Sequence, residues 1–211
     1  MSSSASTRPS TEGRRALWHR AIDLAVIVAL GLAFGVIFWA WGKLYGAIDL
    51  GVTLGYPPLS GLLAGPWLMA GIVGGLIVRR RGAAFGTELL AASVSMFVLG
   101  GTEWGFTVVL AGIAQGAGAE LAFALGRYRR FGVGVAILAG ALAAVVESFY
   151  EWYFYYPDWD MAYKLAYLGF FAASGALVGV LSWLLVRSLA QTGALDSFGA
   201  GREAAGEDVR V

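Results

Sequence analysis

Residues 112–130 read GIAQGAGAELAFALGRYRR. A glycine-laced apolar run carries one amide, Gln115, and one carboxylate, Glu120, and then stops in a burst of arginines. Extended back to residue 107, the run has the roughly twenty residues that an α-helix needs to cross a bilayer core of about 30 Å. Basic residues flanking the cytoplasmic end of a span are the expected stop. The stretch therefore reads as a membrane helix with two polar groups inside it.

The same pattern recurs outward in both directions. Apolar blocks occupy roughly 19–42, 58–78, 83–99, 107–126, 131–150 and 164–186, the second entered through Pro57 and Pro58. Only 14% of the 211 residues are charged, against about a quarter in a soluble domain, and mean hydropathy is +0.69. The predicted fold class is an all-α integral membrane protein, a bundle of six transmembrane helices. The polar Ser/Thr-rich residues 1–18 read as a disordered cytoplasmic arm, 19–190 as the membrane domain and 191–211 as a fraying cytoplasmic tail. The block after residue 20 is too long, and lacks a cleavage motif, for a signal peptide.

Charge placement gives the orientation. Arg14, Arg15 and Arg20 precede the first block, and Arg79, Arg80 and Arg81 separate the second from the third. Arg127, Arg129 and Arg130 follow the fourth, and Arg187 follows the sixth. With Arg8, Arg202 and Arg210 from the termini, six alternating spans put all the basic residues on one side except Lys43 and Lys164. Both termini are then cytoplasmic. The opposite connections, KLYGAIDLGVTLGYP, GGTEWGF and EWYFYYPDWDMAY, combine aromatic rings with Asp49, Glu103, Glu151, Asp158 and Asp160. They read either as an interfacial aromatic belt or as an acidic, aromatic mouth suited to a small cationic or heteroaromatic ligand.

Composition also excludes classes of chemistry. Without cysteine there is no disulfide, thiolate nucleophile or cysteine metal cluster. A single histidine, His19, cannot build a His-rich metal site, and neither HExxH nor GxxxxGK[ST] occurs, so zincin and ATPase chemistry are not encoded. No nucleophile–base constellation points to an intramembrane enzyme.

Ionisable groups inside a bilayer are costly and serve as functional candidates. Glu88 shares a face with Ala84, Ala91, Ala92 and Ser95, pointing into the bundle. Gln115 and Glu120 are separated by about 140° around their helix. Glu147, Tyr150 and Glu151 form an i, i+3, i+4 stripe at the outer end of the fifth span. Each carboxylate is either a ligand group or a buried hydrogen bond tying helices together. Ala21, Ala25, Ala29 and Ala33 make a small-residue stripe on the first span, for packing inside the bundle or for docking on another membrane protein.

Several motifs in order resemble one family. They are QGAGAE at 115–120, RRRGAA at 79–84 followed by Glu88, GPW at 65–67, LAG at 138–140 leading to Tyr150 and Glu151, SGAL at 174–177, and SLAQTGAL at 188–195. Across residues 20–200 the chain is similar to the membrane S component of energy-coupling-factor (ECF) vitamin transporters, in the YkoE-like hydroxymethylpyrimidine/thiamine branch. The resemblance implies a six-helix substrate-binding subunit of the bacterial cytoplasmic membrane without enzymatic activity or cofactor. It would capture thiamine or its hydroxymethylpyrimidine precursor at the outer face. Its partners would be a transmembrane coupling subunit and two cytoplasmic ATPases that hydrolyse the ATP. By position it implies Glu88, Gln115, Glu120, Tyr150 and Glu151 as ligand or pocket-organising groups, with Trp67 and Trp104 as stacking partners. Ala25, Ala29 and Ala33 would be the docking face. Glu147 and Glu103 match no position of the family. The competing readings are an S component for another small vitamin or heteroaromatic cation, and a small stand-alone carrier or channel.

Overall fold

The computed structural model describes residues 11–206. Its architecture is a bundle of apolar helices, five of them long and apolar enough to cross a membrane and a sixth, Ala83–Phe97, of 15 residues. The first, α1 (Thr11–Ile48), is much longer than the predicted block. No breaker interrupts it until Asp49, whose left-handed backbone ends the helix and whose carboxylate caps the short α2 (Leu50–Thr53) through Val52 N. Of the expected N-terminal arm, residues 1–10 lie outside the described residues, and the backbone of 11–18 is helical within α1.

The second span is not a uniform helix. It runs through a 3₁₀ turn (Pro57–Ser60), α3 (Gly61–Ala64), a second 3₁₀ turn (Gly65–Leu68) and α4 (Met69–Val78). Pro66 explains the break, because proline has no N–H to give the carbonyl of Leu62. That carbonyl instead accepts from Ser174 Oγ at 2.7 Å. The neighbouring Leu63 carbonyl accepts from Trp41 Nε1 at 2.9 Å. α4 is buried along nearly its whole length and forms the centre of the bundle.

Around it pack α1, α5 (Ala83–Phe97), α6 (Thr107–Leu125), α7 (Val133–Phe154) and α8 (Met161–Gln191), each mainly against its sequence neighbour, with α1 closing on α5. Without a hydrophobic drive between helices in lipid, small residues and close backbone approach hold such a bundle. The α7–α8 seam is the tightest: a Cβ at Gly140 would strike the Gly175 carbonyl, and one at Gly175 would strike the Gly140 carbonyl. α8 starts one residue after Asp160, whose carboxylate accepts from Tyr163 N at 2.8 Å.

Of the expected tail, residues 207–211 lie outside the described residues. After α8, Gly193 at φ +80° turns the chain and α9 (Gly199–Ala204) folds back against α8 and α4. Leu195 and Ala200 are buried, and Arg79 pairs with Glu203. Apolar residues spaced through a polar stretch give this segment a face to bury.

Candidate functional site

The end of the bundle opposite the arginines holds a cavity of about 240 Å³ between α1, α5, α6 and α7. Its aromatic wall comes from three elements. Trp67, at the 3₁₀ turn after Pro66, is fixed by an Nε1 hydrogen bond to the Phe38 carbonyl at 3.2 Å. Its ring meets Trp104 edge-on at 5.4 Å and Tyr45 at 4.9 Å. Trp104 sits in the turn between α5 and α6, where Gly100, Gly101 and Gly105 all adopt positive φ that other residues rarely accept. Tyr155 and Tyr156, just past α7, complete the wall. Burial raises the Tyr155 hydroxyl above its usual range, outweighing the opposite pull of its hydrogen bonds with Thr107 and Tyr150. Burial and the negative charge of Glu151 do the same for Tyr156. Both remain neutral phenols.

The polar groups converge from α6 and α7. Gln115, Glu147 and Glu151 all line the cavity. Glu147 is 2% exposed and Gln115 7%. Oε2 of Glu147 and Oε2 of Glu151 are buried without a hydrogen-bond partner among the described residues, as is Nε1 of the lining Trp39. Desolvating a carboxylate oxygen without a partner is costly, so each of these oxygens is a ready acceptor for a donor or cation. At the rim, Lys43 and Glu103 pair at 3.6 Å, both well exposed. The lining therefore holds three acids and one base, with the base already paired.

Of the residues implied by the resemblance, Trp67, Trp104, Gln115 and Glu151 come together here. Glu88, Glu120 and Tyr150 do not line the cavity. Glu88 is 1% exposed, one turn below the lining Ala92, and its Oε2 accepts from Gly71 N at 2.6 Å, joining α5 to α4. Glu120 lies at the arginine end, where it accepts from Gly82 N at 2.6 Å, Ala84 N at 3.1 Å, Phe85 N at 3.2 Å and Tyr128 Oη at 2.7 Å. It caps the N-terminus of α5 from a neighbouring helix, satisfying backbone donors that the helix itself leaves unpaired. Burial, then the Glu120 hydrogen bond, pushes the Tyr128 phenol up to about 12. Tyr150 donates to the Thr107 carbonyl at 2.7 Å, anchoring the start of α6. Sequence reasoning left Glu147 unassigned. Its place on one stripe with Glu151 was the available signal. Tyr45 and Tyr156 were seen only as members of an outer aromatic set.

Ala25, Ala29 and Ala33 are exposed, together with Leu24, Val28, Leu32 and Val36. The stripe therefore faces away from the bundle rather than into it.

Fold and cavity together describe a bundle of helices apolar enough to cross a membrane, with a solute-sized cavity at one end. Residues 22–146 match the family described as "ABC-type cobalt transport system, permease component". The chain is 28% identical over 185 residues to the "Putative HMP/thiamine permease protein YkoE" of Bacillus subtilis (strain 168), covering 86% of this chain and 89% of that one. A solved structure described as "Crystal structure of an S-component of ECF transporter" superposes with a TM-score of 0.80 at 27% identity, covering 87% of this chain and 92% of that one. The chain belongs to the family of ABC-type transport permease components matched over residues 22–146, and its fold is that of an ECF-transporter S component. It is accordingly a substrate-binding subunit of the cytoplasmic membrane rather than an enzyme, and it works with an energy-coupling module.

Proposed function

We propose that the chain captures thiamine or its hydroxymethylpyrimidine precursor in the aromatic cavity, entering from the outer face, and passes it on with an energy-coupling module. The observation that carries this reading is the pair of buried, unpartnered carboxylate oxygens of Glu147 and Glu151 set in an aromatic cavity. An aminopyrimidine offers N–H donors to a carboxylate and to the Gln115 amide. A thiazolium ring offers delocalised positive charge to the faces of Trp67 and Trp104, an attraction of about 0.5–2 kcal/mol. The name carried by the Bacillus subtilis relative supports the same ligand class.

The cobalt in the family's description finds less support in the donor set. Among the described residues no group of three or more His, Cys, Asp or Glu is placed to hold a metal ion. Indole and phenol walls suit an organic cation better than a hydrated divalent one.

Ala25, Ala29 and Ala33, on an exposed apolar face of α1, serve in this reading as the contact with a transmembrane coupling subunit. ATP is hydrolysed by two cytoplasmic partner subunits, and the arginine end with both termini faces the cytoplasm.

Titration calorimetry of the purified protein with thiamine, hydroxymethylpyrimidine, riboflavin and cobalt(II) tests the ligand. Sub-micromolar binding of a thiamine-type compound is expected, with none of riboflavin or cobalt. Absence of binding to either pyrimidine overturns the assignment. Retained uptake after Ala25→Trp with Ala29→Trp, in cells supplying the coupling module, would refute the docking role.

A further inference from the structure

The arginine end of the bundle contains a second cavity, of about 320 Å³, that solute capture does not use. It lies between the end of α4, the end of α8, the segment before α7 and the returning α9. Its size falls at the lower edge of the roughly 300–1,000 Å³ typical of small-ligand sites.

Its walls are divided by chemistry. Leu76, Val186 and Ala190 are apolar, while Phe131 and Trp183 each carry an arginine over the ring. Arg79 stands 4.7 Å from the Phe131 centroid and Arg187 stands 5.2 Å from that of Trp183. The two guanidinium groups differ in how they are satisfied. Arg79 is mostly buried, donates through Nε to the Leu76 carbonyl at 3.1 Å, and pairs with Glu203 of α9. Arg187 has no carboxylate within ion-pair distance among the described residues. The cavity thus carries two positive charges and one negative, leaving room for one more anionic group.

We propose that this cavity binds the phosphate group of an amphiphilic anion at the membrane surface, with Arg187 supplying the free charge and Glu203 competing for Arg79. A guanidinium presents a planar fork of donors that matches phosphate oxygens. The aromatic and aliphatic walls beside it would accept the apolar stem that an anionic phospholipid brings and free phosphate lacks. Basic pockets between transmembrane helices are a recurrent form of headgroup site. Glu203 acts as an internal substitute anion: α9 docks by the same charge that would otherwise complete the ligand's coordination.

Native mass spectrometry of the detergent-purified protein, loaded with phosphatidylglycerol or phosphatidylcholine, tests the assignment. Phosphatidylglycerol is expected to be retained at least about tenfold better, because both lipids bring a phosphate but the choline ammonium neutralises it and is repelled by the two guanidinium groups. Arg187→Gln should abolish that preference and Arg187→Lys should keep part of it. Glu203→Gln should raise retention severalfold by releasing Arg79. Arg129→Gln with Arg130→Gln, at exposed positions that do not line the cavity, should leave it unchanged. Equal retention of the two lipids overturns the proposal, as does an Arg187→Gln effect no larger than that of the Arg129/Arg130 pair. Millimolar inorganic phosphate separates the sources: no displacement assigns the site to lipid, whereas full displacement assigns the same phosphate chemistry to the free ion.

Discussion

Replacing Glu147 by Gln should move ligand affinity and protein stability in opposite directions. The side chain is 2% exposed, faces the aromatic cavity and leaves Oε2 without a partner among the described residues. When a ligand donor or cation occupies that oxygen, the interaction is a hydrogen bond to a charged group, with a net value of about 1.5–3 kcal/mol. At about 1.4 kcal/mol per decade, losing it raises Kd roughly ten- to a hundred-and-fifty-fold. In the ligand-free protein the same group is a liability whenever it is ionised. It is buried, and Glu151 stands one helical turn away on the same face, so the two carboxylates repel through a poorly screening medium. A neutral, nearly isosteric amide removes that repulsion. A gain of about 1 kcal/mol would raise Tm by roughly 2–4 °C for a chain of this size. Titration calorimetry, with quenching of the Trp67 and Trp104 fluorescence as a second readout, measures the affinity. A thermal melt with and without ligand measures the stability. The reasoning fails if Kd changes by less than about twofold, or if the ligand-free variant melts several degrees lower. Either result would make Glu147 a structural tie rather than a ligand acceptor.

Four further outcomes follow from the geometry. Glu120→Ala should cost about 1–3 kcal/mol of stability by stranding backbone donors at the start of α5, visible as a lower melting temperature, while Kd for the pyrimidine ligand stays within about twofold. Tyr128, with its phenol at about 12 against an ordinary 10.0, contributes stability that is fully present below pH 10 and is lost as pH rises towards 12. Tyr128→Phe should flatten that alkaline step in a melting series. Trp104→Ala should weaken binding by about 0.5–2 kcal/mol without shifting the ligand-free melt, whereas a drop in Tm alone would make the ring a structural cap. Gly140→Ala should destabilise by about 1–3 kcal/mol through forced separation of α7 and α8, measured by the same melt.

The spans were legible because arginine clusters punctuate the apolar blocks, and that signal depends on chain order rather than on any partner. Half of the candidate pocket was legible for a related reason: Trp67, Trp104, Gln115 and Glu151 lie in the part of their spans away from the arginines or in the connections at that end. Partner identity was not. A carboxylate in an apolar run declares that it is buried, but Glu120 finds its donors more than thirty residues away at Gly82, Ala84 and Phe85. Nothing in the sequence around Glu120 encodes that meeting. Tyr150 and Glu147 share a stripe, yet the three-residue offset turns Tyr150 towards Thr107 and leaves Glu147 facing the cavity. Tyr45 falls outside the predicted block 19–42, in the connection that follows it. The helix continues until Asp49, and that continuation carries Tyr45 over Trp67. The C-terminal tail misled through its average polarity, which concealed the spacing of Leu195 and Ala200 that buries them.

The broken second span has a consequence for how such chains diverge. Pro66 strands the Leu62 carbonyl, and the hydroxyl of Ser174 on α8 serves it. Neither residue is useful at its position without the other. A relative carrying an ordinary helix former at position 66 regains the missing N–H and has no carbonyl left for a hydroxyl at 174 to satisfy. A relative that keeps the proline but loses the hydroxyl leaves that part-buried carbonyl without its donor. Substitutions at the two sites should therefore travel together through the lineage, so that an aligned set of sequences would record this inter-helix bond as a correlated pair 108 positions apart.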